Sequence, residues 1–327
     1  MSDATILAER YLSDYDVDQY LSYLGRQHPD LHRLLSRERC REAERHIATM
    51  NQESWEFEDE QAGGRGLAYN VAQKSADNRK AGMISLLKCF GQSSEMPGPE
   101  FRILDVLGGD GTLSRFCETL GHRTPTIYTA DISKFMIDAC LAQGLPCIRQ
   151  SATRSMFRDD ALDGVLIAYG SHHLGGDERQ EAACEAHRTL KPGGRLVLHD
   201  FEIGGRTAAW FDEVVHPYSR TGHPHPHFSR IEMFDLFTTA GFRDVRVFEI
   251  QDPFTLEGIS AAEARHKAIL HLYDMYDLVK IAGSPHEIAP RLERYITETL
   301  GPISIRQEGI RYLAEVGRSA LVAVGTK

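Results

Sequence analysis

No stretch of this chain approaches the twenty or so apolar residues that a membrane-spanning helix requires, and its basic residues are dispersed rather than clustered. Lys and Arg number 37 against 47 Asp and Glu, a formal net charge of −10. A protein that grips nucleic acid or an anionic bilayer needs a basic face to neutralise phosphates. Neither is therefore an expected partner. Cysteine is scarce: Cys40, Cys89, Cys117, Cys140, Cys147 and Cys184 include no C-x-x-C pair, and reduced, mostly buried thiols are expected. The first residues, MSDATILAERYLSDYD, lack the basic start and apolar core of a signal peptide, so a cytoplasmic protein is expected. Internal repeats and low-complexity tracts are also absent.

What is present is a chain of 327 residues, 42% hydrophobic, with length for one large domain or two modest ones. Its most informative stretch is Phe101 to Phe116, FRILDVLGGDGTLSRF. An apolar run with one acid, Asp105, breaks into Gly108-Gly109-Asp110-Gly111 and then a helix-like segment. This reads as a buried strand turning into a helix N-terminus, where glycines let backbone approach a ligand and free N–H groups favour an electron-rich one. A second apolar segment, Thr126 to Ala130, ends in Asp131-Ile132-Ser133, where an acid can accept bonds from both hydroxyls of a ribose. A third, Ala161 to Gly170, runs into Ser171-His172-His173-Leu174, and Leu190 to Asp200 supplies a Lys-Pro-Gly-Gly turn and a further strand. A nicotinamide fingerprint would want glycine where Ser114 stands, and would leave Lys191-Pro192-Gly193-Gly194 without a role.

With LDVLGGDG, ADIS, LDGVLIAYGSHHL and LKPGGRLVLHDF in this order and spacing, residues 100 to 255 and the last strand resemble the class I S-adenosylmethionine (SAM)-dependent methyltransferases. The resemblance implies an α/β fold with a doubly wound, mainly parallel seven-stranded sheet. It also implies an N-terminal helical lid over residues 1–99, a SAM-binding core over 100–327, and a helical insertion at about 255–305 before the last strand. It further implies that Asp105, Gly108, Gly109 and Gly111 cradle the amino-acid end of SAM, and Asp131 with Ile132 its ribose. Ser151 and Ala152 would hold its adenine, with Tyr169 and Tyr69 against the cofactor. Leu107 stands where relatives usually carry glycine, and Ser151 where they often carry an acid.

Fifteen histidines are the second notable feature, and three groups of them follow strands. Imidazole titrates near neutrality, which suits acid–base work. His199, helped by Asp200 or His172, is the expected catalytic group. His199, Asp200, His223, His225 and His227 also suggest a metal, yet no helical H-x-x-x-H spacing pre-forms a chelate. No metal is therefore expected, and the H-P-H-P-H loop is read as stiff and polar, its alternating rings facing solvent and neighbouring backbone. Tyr11, Tyr15, Tyr20, Tyr23, Trp55, Phe57 and Trp210 either line a substrate cavity or form plain core. The expected reaction is methyl transfer to a small, apolar, natural-product-type acceptor, with O, N and C acceptor atoms all open. The alternatives are a SAM-binding protein that catalyses rearrangement or cyclisation, and a non-catalytic ligand-binding protein. A homodimer is the one protein partnership left open.

Overall fold

A computed structural model describes residues 10–59, 61, 63–91 and 95–327. The first nine residues of the stretch read for targeting signals, and the side chain of Trp55, lie outside that description. Five short apolar segments form the strands β1 (Arg102–Asp105), β2 (Thr126–Asp131), β3 (Cys147–Arg149), β4 (Leu162–Ile167) and β5 (Leu190–Asp200). They read as almost continuous apolar runs because helices cover both faces of a parallel sheet. β6 (Arg243–Gln251) and β10 (Ser319–Thr326) complete it, in the order β3-β2-β1-β4-β5-β10-β6. β10 runs antiparallel to both β5 and β6, and the remaining pairs are parallel. This is the seven-stranded, mainly parallel sheet that the resemblance implied. The order reverses at β1 and β4, which opens a crevice at the carboxyl ends of those strands.

The N-terminal helices Val17–Gln27, Pro29–Leu34 and Arg37–Glu44 brace the β3 edge. Tyr20 Oη donates to the Cys147 carbonyl at 2.7 Å and Tyr11 Oη to the Arg149 carbonyl at 2.5 Å. Covering an edge strand this way blocks pairing with other chains. Tyr11 and Tyr20 are core residues and Tyr15 and Tyr23 pack against that core, so none of the four lines a substrate cavity. Trp210 is fully buried in a second cluster. The strands' carboxyl ends are met instead by residues 54–59 and 63–73. Glu58 there accepts from the amides of Lys134 and Phe135, and Ser133 Oγ donates to the Phe57 carbonyl.

Two expectations change. Leu67 to Phe90 reads as one long helix, but the chain forms Gly66–Ala72, a 3₁₀ turn at Ala76–Arg79 and a helix at Lys80–Lys88. The segment beyond β6 is not wholly helical. Helices Ala261–Met275 and Pro285–Thr299 pack beside a three-stranded antiparallel sheet of β7 (Phe254–Gly258), β9 (Arg311–Val316) and β8 (Ser304–Glu308). Among the described residues no helix is long and apolar enough to cross a membrane.

Candidate functional site

The loop after β1 is shaped by two glycines in the left-handed region, Gly109 at φ 55° and Gly111 at φ 84°. A Cβ on Gly111 would stand 2.7 Å from Leu145 Cδ1 and 2.8 Å from Cys140 Sγ, so this glycine lets the loop seat against its neighbours. Leu107 needs no such freedom. Its φ is not positive, and its side chain lines the cavity above the loop. Asp131, at the tip of β2, accepts from the Gly109 amide at 3.0 Å and the Ser133 amide at 2.9 Å. This ties the two strand ends together. Burial raises the Asp131 carboxyl to about 6 against those hydrogen bonds. Burial and the Asp131 charge raise Asp105 to about 7.

Two cavities meet above the sheet. The first is lined by Asp105, Leu107, Gly108 and Asp110. The second is lined by Phe57, Arg65, His172, His173, Phe211 and Tyr276. Tyr69, Arg79 and Tyr169 line both. Tyr169 holds a left-handed backbone, φ 62°, a strained state for a residue with a Cβ. Its hydroxyl lies 3.2 Å from Asp252, which is buried in an ion pair with Arg318. Arg79 is buried with its guanidinium 4.6 Å from the Tyr169 ring centroid, and its Nε has no partner among the described residues. Ser151 bonds Thr153 at 3.0 Å and lines a separate groove with His46, Met50 and Arg154 rather than the first cavity. Ala152 is buried beside it.

Asp200 is the hub of the second cavity. Fully buried at the end of β5, it accepts from Ser171 Oγ (2.5 Å) and from the amides of His172 (2.8 Å) and Phe201 (2.7 Å). Its carboxylate also takes the imidazoles of His172 (2.9 Å) and His227 (3.3 Å). Burial works against ionisation, but these two imidazoles outweigh it and hold the carboxyl well below its ordinary range. Burial lowers His172, and it takes His173 down to about 3, so the His173 ring is neutral at pH 7. Glu56 accepts from His173 at 3.2 Å and lies 3.6 Å from His225, with Arg65 at 2.8 Å on its other oxygen. Burial would raise Glu56, yet these partners hold it below the carboxylate range.

His199 is brought near this group but not into either cavity wall. It is fully buried, its ring tilted against that of Tyr169 with centroids 4.3 Å apart, and Nε2 lies 3.6 Å from Asp252. The H-P-H-P-H expectation is corrected: His223 and His227 turn inward, 3% and 4% exposed. Glu56, Arg65, Arg79, Asp252 and Arg318 were not singled out from the sequence. Each sits in a polar stretch that reads as ordinary surface, and only the tertiary fold buries it.

Residues 104–198 match the family model described as a methyltransferase domain. The chain is 30% identical over 154 residues to the ubiquinone/menaquinone biosynthesis C-methyltransferase of Laribacter hongkongensis, covering 44% of this chain and 62% of that protein. It is 34% identical over 114 residues to the same-named protein of Ruegeria sp., covering 32% and 44%. The chain thus spans less than two thirds of either relative. Among solved structures it is similar to Haemonchus contortus phosphoethanolamine N-methyltransferase 2 in complex with S-adenosyl-L-methionine. That match has a TM-score of 0.49 and 16% identity, and covers 80% of this chain and 56% of that one.

Proposed function

We propose that this chain, whose residues 104–198 form a class I methyltransferase domain, transfers the methyl group of SAM to a small acceptor seated in the second cavity. The observation that carries this reading is the junction of the two cavities at Tyr69, Arg79 and Tyr169. A donor held at the glycine loop would adjoin the cavity that His172, anchored by Asp200, lines. The residues of the first cavity fit the cofactor. Asp105 and the tyrosine rings suit its ammonium and sulfonium, and Arg79, with Nε unpartnered, suits its carboxylate. Asp131 has lone pairs left for ribose hydroxyls. Bound SAM supplies an electrophilic methyl group on a cationic sulfur.

The chain's own part is to align, to exclude water and to move a proton. Phe57, Phe211 and Tyr276 favour an acceptor with an apolar body, and Arg65 favours an acidic group on it. His172, held at Nδ1 by Asp200, presents Nε2 to the acceptor's proton. The carbon-methylating activity named for the relatives supports a carbon acceptor among the open choices.

The test is turnover of methyl-labelled SAM with small aromatic acids and phenols. His172→Gln is expected to lower kcat by about 10²–10⁴ while the Kd for SAM stays within about twofold. Unchanged kcat would remove His172 from the chemistry. A pH dependence follows from Asp105. Because its carboxyl titrates near 7, it is protonated in the free protein below that pH, and a cationic ligand favours the ionised form. SAM binding should release a proton and tighten by up to about tenfold per pH unit below 7, then level off. Calorimetry in buffers of different ionisation enthalpy reads the released proton, and a flat profile from pH 6 to 8 would refute the assignment.

A further inference from the structure

Five histidines crowd beside the second cavity: His172 and His173 follow β4, and His223, His225 and His227 precede the helix Arg230–Thr239. Neighbouring ring centroids lie between 4.3 and 5.4 Å apart. Proton transfer needs one of these rings, not five. His223 is the least explained. It is 3% exposed, neither of its ring nitrogens has a partner among the described residues, and its flank is the Phe211 ring at 4.5 Å. A buried polar group left unpaired is destabilising, so an apolar residue would serve better there if packing were its only task.

His172 and His173 carry a complementary feature. Each is held at Nδ1 by a carboxylate, Asp200 at 2.9 Å and Glu56 at 3.2 Å. A carboxylate there fixes the ring proton on Nδ1 and leaves the Nε2 lone pair free, the outer-shell arrangement that metal-binding histidines use. A ring nitrogen from each of His172, His173 and His223 lies within 4.8 Å of the others. We propose that His172, His173 and His223 form a three-imidazole site for one divalent first-row transition metal ion, with Asp200 and Glu56 as its anchoring carboxylates. Bonds of about 2.0–2.1 Å would draw the three rings slightly inward. The absence of a helical H-x-x-x-H does not argue against this, because the ligands come from two loops joined only by the fold.

Three protein ligands leave a coordination position open, and His172 and His173 line the second cavity. An ion there would take an oxygen of the acceptor and lower the pKa of its proton, which would pass to solvent, so that His172 acts through the ion rather than as a free base. That consequence rests on the second cavity being the acceptor pocket; ion binding does not.

The test uses full-length, tag-free protein stripped with a chelator and titrated with Co(II) alone. The expected result is about one equivalent bound, with visible ligand-field absorption. His223→Ala and His173→Ala should each weaken binding about a hundredfold or more, with unchanged circular dichroism and SAM affinity. His223→Cys should retain the ion and add a sulfur-to-cobalt charge-transfer band; it also decides the matter if the alanine variant fails to fold. Uptake below about a tenth of an equivalent by wild type, undiminished binding by His223→Ala, or no new band in His223→Cys would overturn the site. Cobalt binding without methyl transfer would refute the proposed function and leave the site standing. Transfer by protein that takes up no metal would do the reverse.

Discussion

Replacing Asp200 with alanine is expected to remove about 3–5 kcal/mol of stability and to end methyl transfer in the protein that still folds. The carboxylate is fully buried and collects a hydroxyl, two backbone amides and two imidazoles. Alanine leaves those donors facing an apolar void, and none can turn to water. Asp200→Asn is the informative companion. It keeps the volume and one acceptor while losing the charge, so its loss should fall well short of alanine's. The pH sign follows from the direction of the shift. A carboxyl held below its unfolded value contributes stability that is complete above about pH 4 and fades as pH falls further. The contribution is therefore whole at pH 7, where urea denaturation of the three proteins should be compared. A loss under about 1 kcal/mol for Asp200→Ala would mean the hub is only geometric.

The second large effect is expected at Gly82, inside the helix Lys80–Lys88. In an ordinary exposed helix, glycine to alanine stabilises by up to about 1 kcal/mol. Here the sign should reverse. A Cβ on Gly82 would stand 1.8 Å from Asp252 Oδ1 and 2.8 Å from the Tyr169 hydroxyl. Asp252 cannot retreat easily: it is fully buried, paired with Arg318 at 2.5 Å, and its carbonyl takes the Arg318 Nε at 3.0 Å. Overpacking and a disturbed buried pair together put the cost at about 3 kcal/mol or more. The double mutant with Asp252→Ala provides the check. With the obstructing carboxylate gone, the two changes should cost less together than the sum of their single effects. An additive cycle, or a stabilised Gly82→Ala, would show that the helix simply shifts.

The parts of this molecule legible in its sequence are those set by neighbours along the chain. β1, β2, β4 and β5 announce themselves as apolar runs ending at turn residues, and Ser229 with Glu232 forms the capping box that starts the helix before β6. The second sheet was not legible. β8, Ser304–Glu308, is polar and mostly exposed, so nothing in its pattern distinguishes it from a loop. β7 and β9 are recognisable only through each other. The glycine loop and Asp131 were legible for the same local reason as the strands. The charged residues of the second cavity were not, because burial of Glu56 and Arg65 results from a contact between distant loops. His172 and Asp200 were singled out by their strand-end places. That they touch, while His199 lies behind Tyr169, depends on which way each side chain faces.

Tyr169 also bears on how this protein would respond to engineering. A left-handed backbone costs a residue with a Cβ about 1–2 kcal/mol, and glycine would relieve it. Relief of that size is smaller than the roughly 3–5 kcal/mol lost when a packed aromatic ring is removed, so what the ring holds outweighs the strain. The ring stands between the glycine-loop cavity and the histidines, roofs His199 and backs Arg79. Without it the two cavities would merge into one chamber, in which donor and acceptor would no longer hold separate seats.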